Sequence, residues 1–163
     1  MPSVLMICTA NQFRSPLAAA CLLEAIRAAQ PAGRWVVESA GTWARAGLPA
    51  PGLARQIASR IGLPGLESHR TRQVDSELLS RYDLSIVMEA GHKEALRSEF
   101  PALKERVYLL SEIVDGFPYD IPDPAAPGVD PDEVADELKR LIDKGLNQIL
   151  RLAESLSADA RSL

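Results

Sequence analysis

The chain has 163 residues, 47% of them hydrophobic and 25% charged, enough for one globular domain with a substantial core. A formal net charge of −4 excludes the basic footprint of a nucleic-acid or anionic-membrane binder, and no stretch reaches membrane-spanning length. Two cysteines make no disulfide framework, and the start lacks the basic segment and longer apolar run of a signal peptide, so a reducing, cytoplasmic setting is expected.

Val4, Leu5, Met6 and Ile7 form a continuous apolar run without polar alternation, which predicts a buried strand of a parallel sheet with Cys8 at its carboxyl end. Ser15 and Pro16 read as a cap and a first helical residue. They open an alanine-rich helix over residues 16–29 that Gln30, Pro31 and Gly33 stop. Residues 35–38 are the second strand, and strand, helix, strand at this spacing implies parallel pairing with a right-handed crossover. A loop rich in Gly and Pro over residues 39–51 leads into a helix over residues 52–61 closed by Gly62. Asp75 caps a short helix carrying Leu78 and Leu79, and residues 83–88 are the third strand. Residues 92–99 have helical spacing, and residues 106–110 form the fourth strand.

Residues 115–129, four of them proline, are a long irregular loop, and such loops are usually functional or disordered. Asp130 and Pro131 start a last helix that runs to about residue 156. The alternation predicts a single α/β domain over residues 1–157, with a frayed tail over residues 158–163. Its core is a four-stranded parallel sheet with helices on both faces and a phosphate-binding loop after the first strand.

That loop is Cys8-Thr9-Ala10-Asn11-Gln12-Phe13-Arg14-Ser15-Pro16. A strand, a loop and a helix N-terminus in this order aim backbone N–H groups and the positive end of a helix dipole at one point, where a phosphate dianion can be held. Thr9, Ala10, Asn11, Gln12, Phe13, Arg14 and Ser15 are the expected phosphate-binding residues. The same field favours a thiolate at Cys8, which gives a nucleophile without a histidine base. Arg14, six positions on, returns to the phosphate as a planar two-pronged donor if the loop curls back. Asn11 suits the positive φ that a tight anion-binding loop needs. Expelling an alkoxide or aryloxide from phosphorus also takes a proton donor. Asp123, with Asp120 as runner-up, stands in a proline-flanked loop that can fold over the strand ends; both are also ordinary turn formers.

The loop resembles the signature C-x-G-N-x-C-R-S-P of the low molecular weight protein tyrosine phosphatases of bacterial type, with Ala10 in place of the glycine and Phe13 in place of the second cysteine. Ser39-Ala40-Gly41-Thr42, His69-Arg70-Thr71-Arg72-Gln73, Tyr82-Asp83-Leu84-Ser85-Ile86-Val87-Met88-Glu89 and Ile121-Pro122-Asp123-Pro124 resemble the family's later blocks, in order. The resemblance implies hydrolysis of phosphotyrosine and aryl phosphates through a cysteinyl-phosphate, with Cys8 as nucleophile, Arg14 holding the phosphoryl group and Asp123 as general acid. It implies that Asn11, Ser15, Ser39 and His69 hold the loop in shape. Arg72 is read as structural, and, with no Asp/His metal-ligand cluster in the sequence, neither cofactor nor metal is expected to take part. Trp43 and Ala125 are the substrate-wall candidates, although the family usually has tyrosine where Ala125 stands. The compact segment over residues 41–47 is similar to that of bacterial members acting on tyrosine kinases of polysaccharide export. A phosphotyrosine protein, such as such a kinase, is therefore the implied partner, with no nucleic acid and no membrane insertion.

Two other functions fit the same loop. An arsenate reductase would bind arsenate as a phosphate mimic but needs further thiols, and residues 88–100 contain no cysteine. A catalytically silent phosphate-binding module would account for Ala10, Phe13 and Ala125, but not for the retention of Cys8, Arg14, Ser15 and Asp123.

Overall fold

The initial apolar run becomes strand β1, Ser3–Cys8, buried along its whole length in the computed structural model, which describes residues 1–30 and 32–161. It lies between β2 (Val36–Gly41) and β3 (Leu84–Val87), and β3 pairs with β4 (Val107–Leu109). All pairings are parallel, in the order β2-β1-β3-β4. The central position of β1 explains why it lacks alternation. Val4, Met6 and Cys8 face one core, Leu5 and Ile7 the other, and neither face meets water.

The helices are α1 (Arg14–Ala29), α2 (Gly52–Arg60), α3 (Ser76–Ser80), α4 (Ala90–Glu99), α5 (Leu110–Asp115) and α6 (Pro131–Arg161). Leu17, Leu22, Ile57, Val114, Leu138 and Ile149 bring α1, α2, α5 and α6 onto the first face. Leu79 and Leu96 bring α3 and α4 onto the second. Among the described residues no helix is long and apolar enough to cross a membrane.

Several element ends differ from the sequence expectation. Helix α1 starts at Arg14, and Ser15 is not its cap; no side chain caps it, because the Ser15 hydroxyl is drawn into the loop's own hydrogen bonds. β2 extends to Gly41, since Ser39, Ala40 and Gly41 pair with Met6, Ile7 and Cys8 and carry the sheet edge up to the loop. A Cβ on Gly41 would stand 2.3 Å from the Thr9 carbonyl oxygen, so only glycine fits there. Leu110 and Asp115, expected in a strand and a loop, bound helix α5, which Glu112 caps at its start by accepting the Leu109 N–H at 2.9 Å. Asp75 caps α3 as expected, accepting the Leu78 N–H at 2.7 Å. Helix α6 continues through residues 157–161, where the sequence suggested a frayed end, and Ser157 is buried. The expected stop at Pro31 and the last two residues of the expected tail lie outside the described residues.

Candidate active site

Residues 9–13 join the carboxyl end of β1 to the N-terminus of α1, which puts the Cys8 thiol at the floor of a cleft of about 270 Å³. From Ala10 to Ser15, no backbone N–H has a protein acceptor among the described residues. Six consecutive donors at the mouth of a helix form an anion-binding concavity. Asn11 is the one non-glycine residue with positive φ among those described, at 58°. Ala10 needs no such conformation, so replacing the glycine of the family signature introduces no backbone strain here.

Asn11 is fully buried, and its side chain is spent on holding this shape. Its Nδ2 donates to Ser15 Oγ and Ser39 Oγ, both at 2.9 Å, and its Oδ1 accepts the Arg72 N–H at 2.9 Å. His69 Nε2 lies 2.7 Å from the Asn11 carbonyl oxygen, so this nitrogen carries the proton. Burial holds His69 below the ordinary histidine range; the bond to Asn11 opposes this, and Arg72 and Arg70 add to it. Arg72 also donates to the Ser39 carbonyl and pairs with Glu38 at 2.8 Å, which joins β2 to the loop. The four expected supporting residues are thus brought together as one network. Ser15 Oγ lies 3.0 Å from Cys8 Sγ and 3.2 Å from the Ala40 carbonyl. Its single proton can serve the carbonyl when the sulfur is a thiol, or the sulfur when it is a thiolate.

Arg14 is 3% exposed and lines the cleft. Its Nη1 donates to the Ile121 carbonyl at 2.8 Å and is ion-paired with Glu89 Oε1, also at 2.8 Å. Its Nη2 lies 3.4 Å from Thr9 Oγ1 and 3.6 Å from Asp123 Oδ2. Nη1 is therefore committed to protein and one Nη2 N–H to Thr9, which leaves Nε and the second Nη2 N–H as the edge for a ligand. Asp123 stands over the cleft, with Oδ1 accepting the Ala125 N–H at 2.9 Å. Asp120, the runner-up, is occupied elsewhere: its Oδ1 accepts the Ala90 N–H at 2.7 Å, capping α4.

Of the two substrate-wall candidates, Ala125 is among the residues lining the cleft and Trp43 is not; Trp43 is highly exposed on the neighbouring loop, tied through its backbone N–H to the Thr9 carbonyl. Sequence reading missed Leu53, Pro51 and Pro131, which complete the cleft wall, and also Glu89. A leucine directly after the Pro51-Gly52 pair was the available sequence signal for Leu53. A larger groove of about 390 Å³ runs behind the loop past His69 and Arg72, without access to Cys8. Cys21 is buried in α1, its thiol pushed up to about 12 by burial, with Lys139 lowering it and Asp143 raising it.

The family model described as low molecular weight phosphotyrosine protein phosphatase matches residues 3–161. The chain belongs to this family. It is 34% identical over 161 residues to a protein-arginine-phosphatase of Geobacillus stearothermophilus, covering 96% of this chain and 97% of that protein. It is 33% identical over 122 residues to the probable low molecular weight protein-tyrosine-phosphatase EpsP of Ralstonia nicotianae, covering 75% and 77%. Among solved structures it superposes with a TM-score of 0.82 on the YwlE arginine phosphatase, a cysteine-to-serine variant with a phosphorylated active-site serine. There the identity is 27%, over 92% of this chain and 99% of that one. The chain is thus a phosphatase of the cysteine-nucleophile kind, a hydrolase.

Proposed function

We propose that this phosphatase removes phosphate from phosphotyrosine in proteins, and that Cys8, Arg14 and Asp123 carry the reaction. The observation supporting the site is the run of free N–H groups from Ala10 to Ser15 around the Cys8 thiol. Cys8 attacks phosphorus in line, and the loop N–H groups with the Nε–Nη2 edge of Arg14 hold the equatorial oxygens. Asp123 protonates the departing phenolate oxygen, and a cysteinyl-phosphate forms. The ionised Asp123 then takes a proton from water as the water attacks phosphorus, and Cys8 leaves as a thiolate stabilised by the Ser15 hydroxyl. Phe13, Leu53, Pro124 and Ala125 give the flat apolar walls that an aryl ring packs against. A thiolate nucleophile needs a reducing compartment, which supports a cytoplasmic location.

A second substrate, phosphoarginine, is favoured by the full-length similarity to protein-arginine-phosphatases and by two polar groups in the cleft, Gln12 and Asp123, that can meet a guanidinium. The arsenate-reductase reading has no support in the cleft, since Cys21 lies inside the α1–α6 packing.

The experiment is turnover of phosphotyrosine and phosphoarginine peptides by the wild type, Cys8→Ser and Arg14→Lys. The expected result is higher kcat/KM on the phosphotyrosine peptide, with no turnover by Cys8→Ser although it still binds inorganic phosphate. Arg14→Lys should be severely impaired despite its retained charge, because the fork is lost. Near-wild-type rates in Cys8→Ser would remove it as nucleophile, and a preference for the phosphoarginine peptide would assign the second substrate.

A further inference from the structure

Behind the cleft, where β3 passes into α4, lies a polar cluster that the reaction steps above leave unused. Glu89 stands at the N-cap position of α4 and His92 one turn in. Glu89 Oε1 holds Arg14 Nη1 at 2.8 Å, and its Oε2 lies 3.2 Å from His92 Nε2. The same His92 nitrogen lies 2.8 Å from Thr9 Oγ1, which is 3.4 Å from Arg14 Nη2. Glu89, Arg14, Thr9 and His92 therefore close a ring. His92 is 6% exposed, and its Nδ1 is the single buried side-chain polar atom without a partner among the described residues.

An unpaired buried polar atom is costly, so its presence needs a reason. The other ring nitrogen supplies one. A bare lone pair on Nε2 would face the Glu89 carboxylate 3.2 Å away, so Nε2 carries the proton and donates to Thr9 Oγ1. Nδ1 is then an empty acceptor, less costly than a stranded N–H. Burial holds His92 below the ordinary histidine range, with Glu89 pulling it up and Arg14 pushing it down, so the ring is neutral at pH 7. Thr9 Oγ1 thus receives one N–H from His92 and one from Arg14. Arg14 Nη1 donates to the Ile121 carbonyl and is ion-paired with Glu89. The guanidinium is fixed at both terminal nitrogens before any ligand arrives.

We propose that Glu89 and His92 are positioning residues, fixing the plane of Arg14 directly and through Thr9 Oγ1 so that its free edge meets two phosphoryl oxygens at once. This rests on Arg14 holding the phosphoryl group. A fork that misses its plane keeps its charge but loses the paired contact, so the readout is oxyanion affinity together with kcat.

The test measures competitive inhibition by inorganic phosphate, kcat on an aryl phosphate and the rate of Cys8 alkylation by iodoacetamide. The variants are Thr9→Val, Thr9→Ser, His92→Leu, His92→Gln, Glu89→Gln and the Thr9→Val/His92→Leu double. Thr9→Val, His92→Leu and Glu89→Gln should each weaken phosphate inhibition by about tenfold, the scale of one lost charge-assisted hydrogen bond. Thr9→Ser and His92→Gln, which keep a polar group in reach, should restore it. The double variant should be no worse than either of its single changes, because the two act as one string. Cys8 should remain alkylatable and still be protected by phosphate, at about tenfold higher phosphate than in the wild type, whereas a merely disordered loop would lose the protection altogether. Unchanged phosphate inhibition in Thr9→Val, or additive losses in the double, would overturn the proposal. Thr9→Val against Thr9→Ser decides even if His92→Leu does not fold. Undiminished phosphate affinity in Arg14→Lys would instead defeat the reading of Arg14 on which this rests.

Discussion

The Asp120 carboxylate accepts a backbone N–H at the start of α4, whereas Asp123, 46% exposed, faces the cleft with one oxygen free of backbone. Replacing Asp123 by Asn should lower kcat by roughly 100-fold for poor leaving groups, the usual scale for a lost general acid, and far less for nitrophenolate. Asp120→Asn keeps an acceptor for the Ala90 N–H and should show no leaving-group dependence. A Brønsted series on both variants checks this, and the reverse pattern would move the acid to Asp120. Cys8, Asn11, Arg14 and Ser15 were legible in the sequence because their chemistry depends on spacing within nine residues. The partnership of Thr9 with His92 spans 83 positions, and only β1 lying beside β3 brings the two together. Ser15 misled in a different way. The residue type was right for a cap, but a buried asparagine four positions earlier claimed its hydroxyl.

The irregular loop between α5 and α6 is positioned by the elements at its ends. Ser111 Oγ donates to the Tyr119 carbonyl at 2.7 Å and accepts the Tyr119 N–H at 3.0 Å, while the Ile121 N–H meets the Met88 carbonyl at 2.9 Å. Helix α5 was missed because Leu109 and Leu110 continue the apolar run of β4, and only the return of Glu112 to the Leu109 N–H reveals a turn there. Its packing against α6 depends on Gly145, where a Cβ would come within 2.3 Å of Val114 Cγ2. On helix propensity alone Gly145→Ala should stabilise by about 1 kcal/mol. The overpacking at Val114 works against this, at about 1–3 kcal/mol. The expected outcome is a lower urea midpoint with an unchanged m-value, together with weaker activity as α5 shifts the loop carrying Asp123. A raised midpoint would show that α5 yields without cost.

At the scale of the whole molecule, the strand and helix alternation made the parallel sheet legible, since each apolar run has its own helical partner. The order β2-β1-β3-β4 follows from which helices cover which face, a three-dimensional fact that local patterning does not carry. The same assembly sets the response to acid. His69 and His92 are both held below the ordinary histidine value of 6.5, in each case chiefly by burial. Between their folded pKa values and 6.5 the unfolded chain binds more protons than the native one, so stability rises with pH there and is lost as pH falls below about 6.5. The depressed carboxylates act lower on the scale. Burial raises Glu38 but its bonds to Tyr82 and Arg72 outweigh that, and Lys144 and Tyr119 hold Asp115 at about 2, so both matter only in stronger acid. The melting temperature should therefore fall already between pH 6.5 and 5, before the carboxylates titrate, and His69→Gln should flatten that limb. Thermal melts followed by circular dichroism across pH 5–8 decide it: a flat profile down to pH 5 in the wild type would mean that the native state accommodates both imidazolium charges, and that the hold on the Asn11 carbonyl does not depend on a neutral His69.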